Sequence, residues 1–297
     1  MMRILFAALA ILLYSVSPAS AQRLEAGTST ALWGKAYTVN DLKEASAADV
    51  DYIEVAINQS YRGVPAEKVM ANMKKNAGII DSTDVCVWSV HLPFSRTLDI
   101  SVLNDSLRQK NVSFIADIMR SSAILYKPER FVLHPSSEPI ESDERESRIQ
   151  CAISSIRELK KVSDETGIML CIENLPRTCL GNTPEELVRI TDSVPGVYIC
   201  FDTNHYVKGE TDDFIRIAGQ KIKTVHISDY DMVNECHWLP YDGKINWPEF
   251  LYNLINTAKY DGVLMYEVKK RSDGSKVPVT DIGESLERIY NEYENLK

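Results

Sequence analysis

The chain has 297 residues and carries 33 Lys and Arg against 42 Asp and Glu, a formal net charge of -9. Its basic residues are dispersed, in nothing larger than pairs such as Lys74-Lys75 and the run 269–271. This argues against a nucleic-acid partner, whose phosphates need clustered Lys and Arg.

In chain order the first element is a leader. Arg3 precedes the apolar run ILFAALAILLYSV, and SPASA follows, ending at Ala21. A basic start, a short apolar core and small residues at the end read as a cleavable secretory signal over residues 1–21. The run is too short for a membrane span. The expected mature protein is exported, to the periplasm, and free of the membrane after cleavage. Residues 22–297 show no Gly/Ser-rich or Pro-rich linker and no short-period repeat, so they read as one domain.

Short β-branched runs then recur, each followed by a longer helical pattern. A strand at 29–33 (STALW) precedes a helix near 39–50. A strand at 52–57 precedes a segment with apolar Val64, Val69, Met70 and Met73. A strand at 85–93 precedes a helix over roughly 104–126. The strand at 130–135 precedes a helix from Ser142 to Gly167. The strand at 168–176 precedes TPEELVRITDSV, where Thr183 is an N-cap, Pro184 fits the first turn and Glu186 stands three on from the cap. VYICFDTNH precedes DDFIRIAGQ, the strand at 222–231 precedes a long loop and WPEFLYNLINTA, and the strand at 262–269 precedes the closing helix. Continuous apolar runs belong to strands covered on both faces. Eight such units in series predict an α/β fold, a (β/α)8 TIM barrel.

Polar residues fall at the C-terminal ends of these strands: His91, His134, Glu173, Asp202 with His205, His226 with Asp229, and Glu267. Glu235 and His237 sit in the loop after the seventh strand. In a parallel barrel these ends open on one face, so the groups converge. The chain has five histidines and all five belong to this set. One such histidine is ordinarily a hydrogen-bonded core or surface residue; five of five beside three carboxylates form a site.

Carboxylates packed together repel unless protons or a cation fill the gap between them. Glu173, Asp202, His226 and Glu267, from four successive strands, make an oxygen-rich open site for one divalent metal ion, Mn, Mg, Co or Zn. His91, His134, His205, Glu235 and His237 are candidates for substrate contacts or for a second metal. Glu54 lies mid-strand, where a buried carboxylate needs a partner, and reads equally as site or structure. Arg177 and Lys269, just past two ligand strands, are candidate substrate contacts or surface residues. Trp238, Trp33 and Tyr206 are candidates for stacking on a substrate ring or for packing. The six cysteines have no C-x-x-C and no regular spacing, so they read as small buried hydrophobes.

IENLP, FDTNH, VHISD and the terminal YEV occur in the order of the metal-site strand ends of the xylose-isomerase-like barrel superfamily, and the chain resembles its sugar phosphate isomerase/epimerase branch. GKINW at 243–247 resembles that family's G-x-G-x-I-D-W stretch, with Lys244 and Asn246 departing. The resemblance implies a metal on Glu173, Asp202, His226 and Glu267, with the two glutamates moving a proton beside a carbonyl. The chain is also similar to endonuclease IV enzymes of the same superfamily, which hold three zinc ions. His91, His134, His205, Glu235 and His237 match their extra ligands, Glu235 replacing an aspartate.

The expected function is an exported, metal-dependent sugar isomerase or epimerase with a small, unphosphorylated carbohydrate substrate. A metal bridging a carbonyl and a neighbouring hydroxyl acidifies the C–H between them, and Glu173 and Glu267 can remove and return the proton. The alternative is a metal-dependent lyase or dehydratase on a keto-sugar or keto-glycoside. An endonuclease IV-like phosphodiesterase and a non-catalytic sugar-binding barrel rank below both.

Overall fold

The structure, a computed structural model, describes residues 23–296. The leader expected over residues 1–21 lies outside them. The strands are β1 (Ala26–Ser29), β2 (Tyr52–Ala56), β3 (Cys86–His91), β4 (Arg130–Leu133), β5 (Met169–Glu173), β6 (Val197–Asp202), β7 (Ile222–Ile227) and β8 (Leu264–Tyr266). All pair in parallel, each with its sequence neighbour, and β1 also pairs with β8, closing the barrel. The helices are α1 (Val39–Ser46), α2 (Asn58–Tyr61), α3 (Ala66–Ile80), α4 (Asp105–Leu125), α5 (Arg145–Thr166), α6 (Pro184–Asp192), α7 (Thr211–Ala218), α8 (Trp247–Asn256) and α9 (Thr280–Glu294). No helix among the described residues is long and apolar enough to cross a membrane.

Local chemistry sets the element ends. Asn104 caps α4 by accepting from the Leu107 N–H, and Thr183 caps α6 by accepting from the Glu186 N–H, with Pro184 behind it. The Glu186 carboxylate does not turn back to its own cap. It accepts from the Gly181 N–H and from Arg145. Helix α5 stops at Gly167, whose φ of 72° is left-handed.

The first strand differs from expectation. β1 ends at Ser29, and Thr30–Trp33 form a 3-10 turn. Ser29 accepts from the Ala31 N–H, while the Thr30 hydroxyl accepts from the Ala56 N–H and pairs with Gln59. These bonds bend the chain across the end of β2. The eighth strand is shorter than its apolar run, but its ladder reaches Glu267, whose N–H donates to the Ile227 carbonyl.

The barrel interior is filled, not open. Trp88 on β3 donates its indole N–H at 3.1 Å to the Thr224 hydroxyl on β7. These strands lie on opposite sides of the ring, so the bond crosses the barrel. Arg130 stacks 3.3 Å over the Trp88 ring. Val132, Cys171 and Cys200 form a further buried layer. All six cysteines are free thiols; Cys171, Cys179 and Cys200 are buried as expected, but Cys151 and Cys236 are only half-buried and Cys86 is exposed.

Candidate active site

Around the C-terminal ends of the strands the predicted polar residues meet. Glu173, at the end of β5, is fully buried and central. Its Oε2 lies 3.1 Å from Nε2 of both His91 and His134. Its Oε1 lies 3.2 Å from His205 Nδ1 and 3.4 Å from His226 Nδ1. Glu267 Oε2 stands 3.0 Å from the same His226 nitrogen. Glu235 Oε1 faces His205 Nε2 at 3.5 Å and His237 Nε2 at 3.6 Å.

These atoms fall into three groups with the composition of metal sites: His91, His134 and Glu173; Glu173, Asp202, His226 and Glu267; and His205, Glu235 and His237. Two atoms each bonded about 2.1 Å from one cation at a tetrahedral angle stand about 3.4 Å apart. Several separations here are of that size. Asp202 Oδ2 and His237 Nε2 are buried without a hydrogen-bond partner, although buried polar atoms are ordinarily satisfied. Asp202 Oδ2 lies 3.5 Å from His205 Nδ1 and 3.9 Å from His226 Nδ1. The donor set therefore fits divalent cations, with ligands for more than the one ion expected from sequence.

Glu54 has a definite place. Its Oε2 accepts from the Ser89 hydroxyl at 2.8 Å and lies 2.9 Å from His226 Nε2. A hydrogen bond there puts the imidazole proton on Nε2 and leaves Nδ1 to face Glu173, Asp202 and Glu267. That is how an outer carboxylate orients a metal-binding histidine.

The cluster's electrostatics follow from its crowding. Burial alone would lower the pKa of His91, but the hydrogen bond and charge of Glu173 prevail and push it up to about 9. Burial also opposes the charged forms of His205 and His226; Asp202 and Glu173 raise the first, and Cys200, Glu54 and Glu173 raise the second. Burial would raise Glu173 and Glu267, yet the imidazoles around them hold both below the usual carboxylate range. Asp202, poorer in such partners, is pushed by burial up to about 6.

Asp229, expected in the ring, is instead the anchor of the loop after β7. Its carboxylate accepts from the N–H groups of Tyr230, Tyr241 and Ile245 and from the Trp247 indole, at 2.8–3.1 Å. Gly243 sits against this knot: a Cβ there would come within 2.3 Å of Asp229 Oδ1 and 2.4 Å of the Tyr230 carbonyl. This accounts for the glycine of GKINW. The loop carries Glu235 and His237, and His237 has a left-handed φ of 51°. Asp229→Ala leaves four donors unpaired and is expected to destabilise the fold by at least about 3 kcal/mol. Denaturant unfolding checks this, with Asp229→Asn expected to lose less.

A cavity of about 250 Å³ opens above the cluster, lined by Glu173, Glu267, His134, His205, Glu235 and His237 at its base. Arg177 and Lys269 also line it, as does Cys179. Arg177 bridges two loops, pairing with Glu138 at 2.8 Å and with Glu235. Trp238 is outside this lining; it is held in bridges to Asp229 and Lys270. Trp33 packs near Tyr37, and Tyr206 against Phe214. Sequence reading missed Arg62, Phe94 and Arg96, which also line the cavity. Phe94 stacks on His134 at 4.1 Å. Their signal was position alone, in loops just after β2 and β3.

A closed parallel barrel with ligand-type side chains at its C-terminal mouth defines a class of barrels, and comparison with known proteins places the chain within it. A family model described as xylose isomerase-like TIM barrel matches residues 42–292, and the chain belongs to that family. A Methanocaldococcus jannaschii protein, MJ1614, is 25% identical over 186 residues, covering 62% of this chain and 71% of that protein. A D-tagatose 3-epimerase-like protein superposes with a TM-score of 0.75 at 24% identity, over 92% of this chain and 99% of that one. The D-psicose 3-epimerase of Clostridium cellulolyticum H10, with D-tagatose, gives 0.72 at 17% identity, over 92% and 99% of the two chains. The 3-keto-D-glucoside 4-epimerase YcjR of E. coli gives 0.69 at 16% identity, over 91% and 100%. Likeness at these identities establishes the shared fold.

Proposed function

We propose that the protein is an exported, divalent-metal-dependent sugar isomerase or epimerase that moves a proton at the carbon beside a carbonyl. One observation carries this reading: Glu173 and Glu267, from β5 and the exit of β8, line one small cavity and both face His226 Nδ1. The names of the structural neighbours, sugar epimerases, support it. Glu173, Asp202, His226 and Glu267 would hold the metal, which when bound polarises a carbonyl and its neighbouring hydroxyl. Glu267 is the better-placed base, since Glu173 is taken up by four imidazoles. Glu173, ionised among the imidazoles, would deliver a second proton drawn from the protonated His91 on its Oε2, while Glu267 keeps the one it removed. His134 and His205 stand where they can hold substrate hydroxyls. Glu54 keeps His226 in one tautomer throughout.

A lyase shares the first step and differs in expelling a leaving group from the next carbon. NMR of ketoses, keto-sugars and keto-glycosides incubated with the metal-loaded protein in D2O separates the two. Deuterium incorporation with the carbon skeleton retained is expected. Loss of water or aglycone identifies a lyase.

The three ligand groups favour a second reading, phosphodiester hydrolysis by a multi-metal centre. Cleavage of an abasic oligonucleotide, with no exchange into any sugar, would replace the first reading with this one.

A further inference from the structure

We propose that the substrate carries an anionic substituent, a carboxylate or a phosphate ester, bound at the cavity mouth by Arg62, Arg96 and Lys269. This rests on the small-carbohydrate reading above and specifies its substrate class. The observation is one of pairing. Among the described residues every arginine other than Arg62, Arg96 and Arg157 has a carboxylate within ion-pair distance. Arg157 is on the outer helix α5 and donates to the Ser193 carbonyl. The other two both line the cavity, together with Lys269, which has no carboxylate partner among the described residues either.

In a chain of net charge -9, carboxylates are plentiful, and cations left without them at a cavity mouth are available to a ligand. Arg62 is also held in place. Its guanidinium lies 5.4 Å from the Phe94 ring centroid, and Phe94 stacks on His134. The rim is thus joined by packing to the histidines below. The two ends of the cavity offer different partners. Its base carries the proposed metal ligands Glu173 and Glu267 with the histidines around them, a site for a carbonyl and its neighbouring hydroxyl; its mouth presents guanidinium groups, whose planar donors suit carboxylate and phosphate oxygens. A sugar with one anionic end would then lie with its charged end at the mouth and its carbonyl end toward Glu173 and Glu267.

The test is calorimetric binding of D-fructose, D-fructuronate and D-fructose 6-phosphate to the full metal-loaded protein. At least one anionic ketose is expected to bind about tenfold or more tighter than D-fructose, the gap narrowing at high salt as screened charge pairs do. The gap is expected to close in an Arg62→Ala/Arg96→Ala/Lys269→Ala variant with unchanged melting temperature. Whichever anion binds tighter identifies carboxylate or phosphate. Equal binding of all three ketoses overturns the proposal. So does an anion preference that survives in the triple variant, since the metal cluster alone then holds the anion. Tighter binding of an abasic oligonucleotide than of either anionic ketose also overturns it. These readouts are independent of turnover: the rim assignment stands or falls on binding, and the proposed reaction on C–H exchange across the wider panel of sugars.

Discussion

Glu267→Gln is expected to lower solvent exchange of the substrate C–H by about 10² or more, the usual scale for a positioned acid–base group. The amide keeps the size of the carboxylate and one oxygen ligand but cannot accept a proton. Glu267 is the cleaner of the two glutamates to test. Its Oε2 has no hydrogen-bond partner and, among the described residues, His226 Nδ1 is its one ion-pair contact, so the substitution breaks few other contacts. Glu173→Gln is expected to cost at least as much activity, but for two reasons at once. Its carboxylate is also the shared partner of His91, His134, His205 and His226, and an amide N–H pointing at an imidazole disrupts that set. Metal content therefore needs measuring beside rate. Retention of metal with loss of exchange identifies a proton carrier. Near-normal exchange in both variants moves the base elsewhere, with His91 or His237 the first to test.

Asp202→Asn is expected to weaken divalent-metal binding by at least about 100-fold, more than the 10- to 100-fold typical of outer-shell partners. The carboxylate has two separate tasks. Oδ1 accepts from the N–H groups of Asn204 and His205 at 2.6 and 3.1 Å, fixing the turn after β6. Oδ2 is buried and unpartnered, and faces the imidazoles. Asn at 202 keeps the first task and removes the charge needed for the second. Alanine removes both, so its melting temperature is expected to fall without metal as well. Proton linkage gives a second handle on the same site. His91, His205 and His226 hold protons above the ordinary imidazole range, whereas ligation needs a bare nitrogen. Metal uptake therefore releases protons, and affinity rises with pH and falls on acidification, by about tenfold per pH unit for each proton displaced. Calorimetry in buffers of different ionisation enthalpy reads the proton count. Metal affinity independent of pH, or unchanged in Asp202→Asn, argues against ligation by these residues.

The barrel was legible because each apolar run is buried on both faces and its polar residue falls where the run stops. Glu173, Asp202, His226 and Glu267 could be placed together from that alone. What stayed hidden depends on contacts between distant segments. Thr30 looks like a strand residue until its bonds to Ala56 and Gln59 turn the chain. Asp229 shares the pattern of its neighbours in VHISD, yet its carboxylate is consumed by donors up to 18 residues further on. Glu54 was ambiguous because its partner, His226, stands 172 residues away across the barrel. Arg62 and Arg96 lie in loops with no periodicity, and that neither has an acidic partner among the described residues is visible only in three dimensions.

The central claim is metal-dependent proton transfer on a sugar, and one experiment addresses it. The purified protein is stripped with a chelator, reloaded with Mn²⁺, Mg²⁺, Co²⁺ or Zn²⁺ in turn, and incubated with a panel of ketoses and keto-sugars in D2O, with the substrate C–H followed by NMR. The expected result is deuterium incorporation beside the carbonyl of at least one sugar, absent from the stripped protein and restored by at least one of the four metals. Exchange that persists undiminished after stripping, or no exchange with any sugar under any metal, contradicts the assignment.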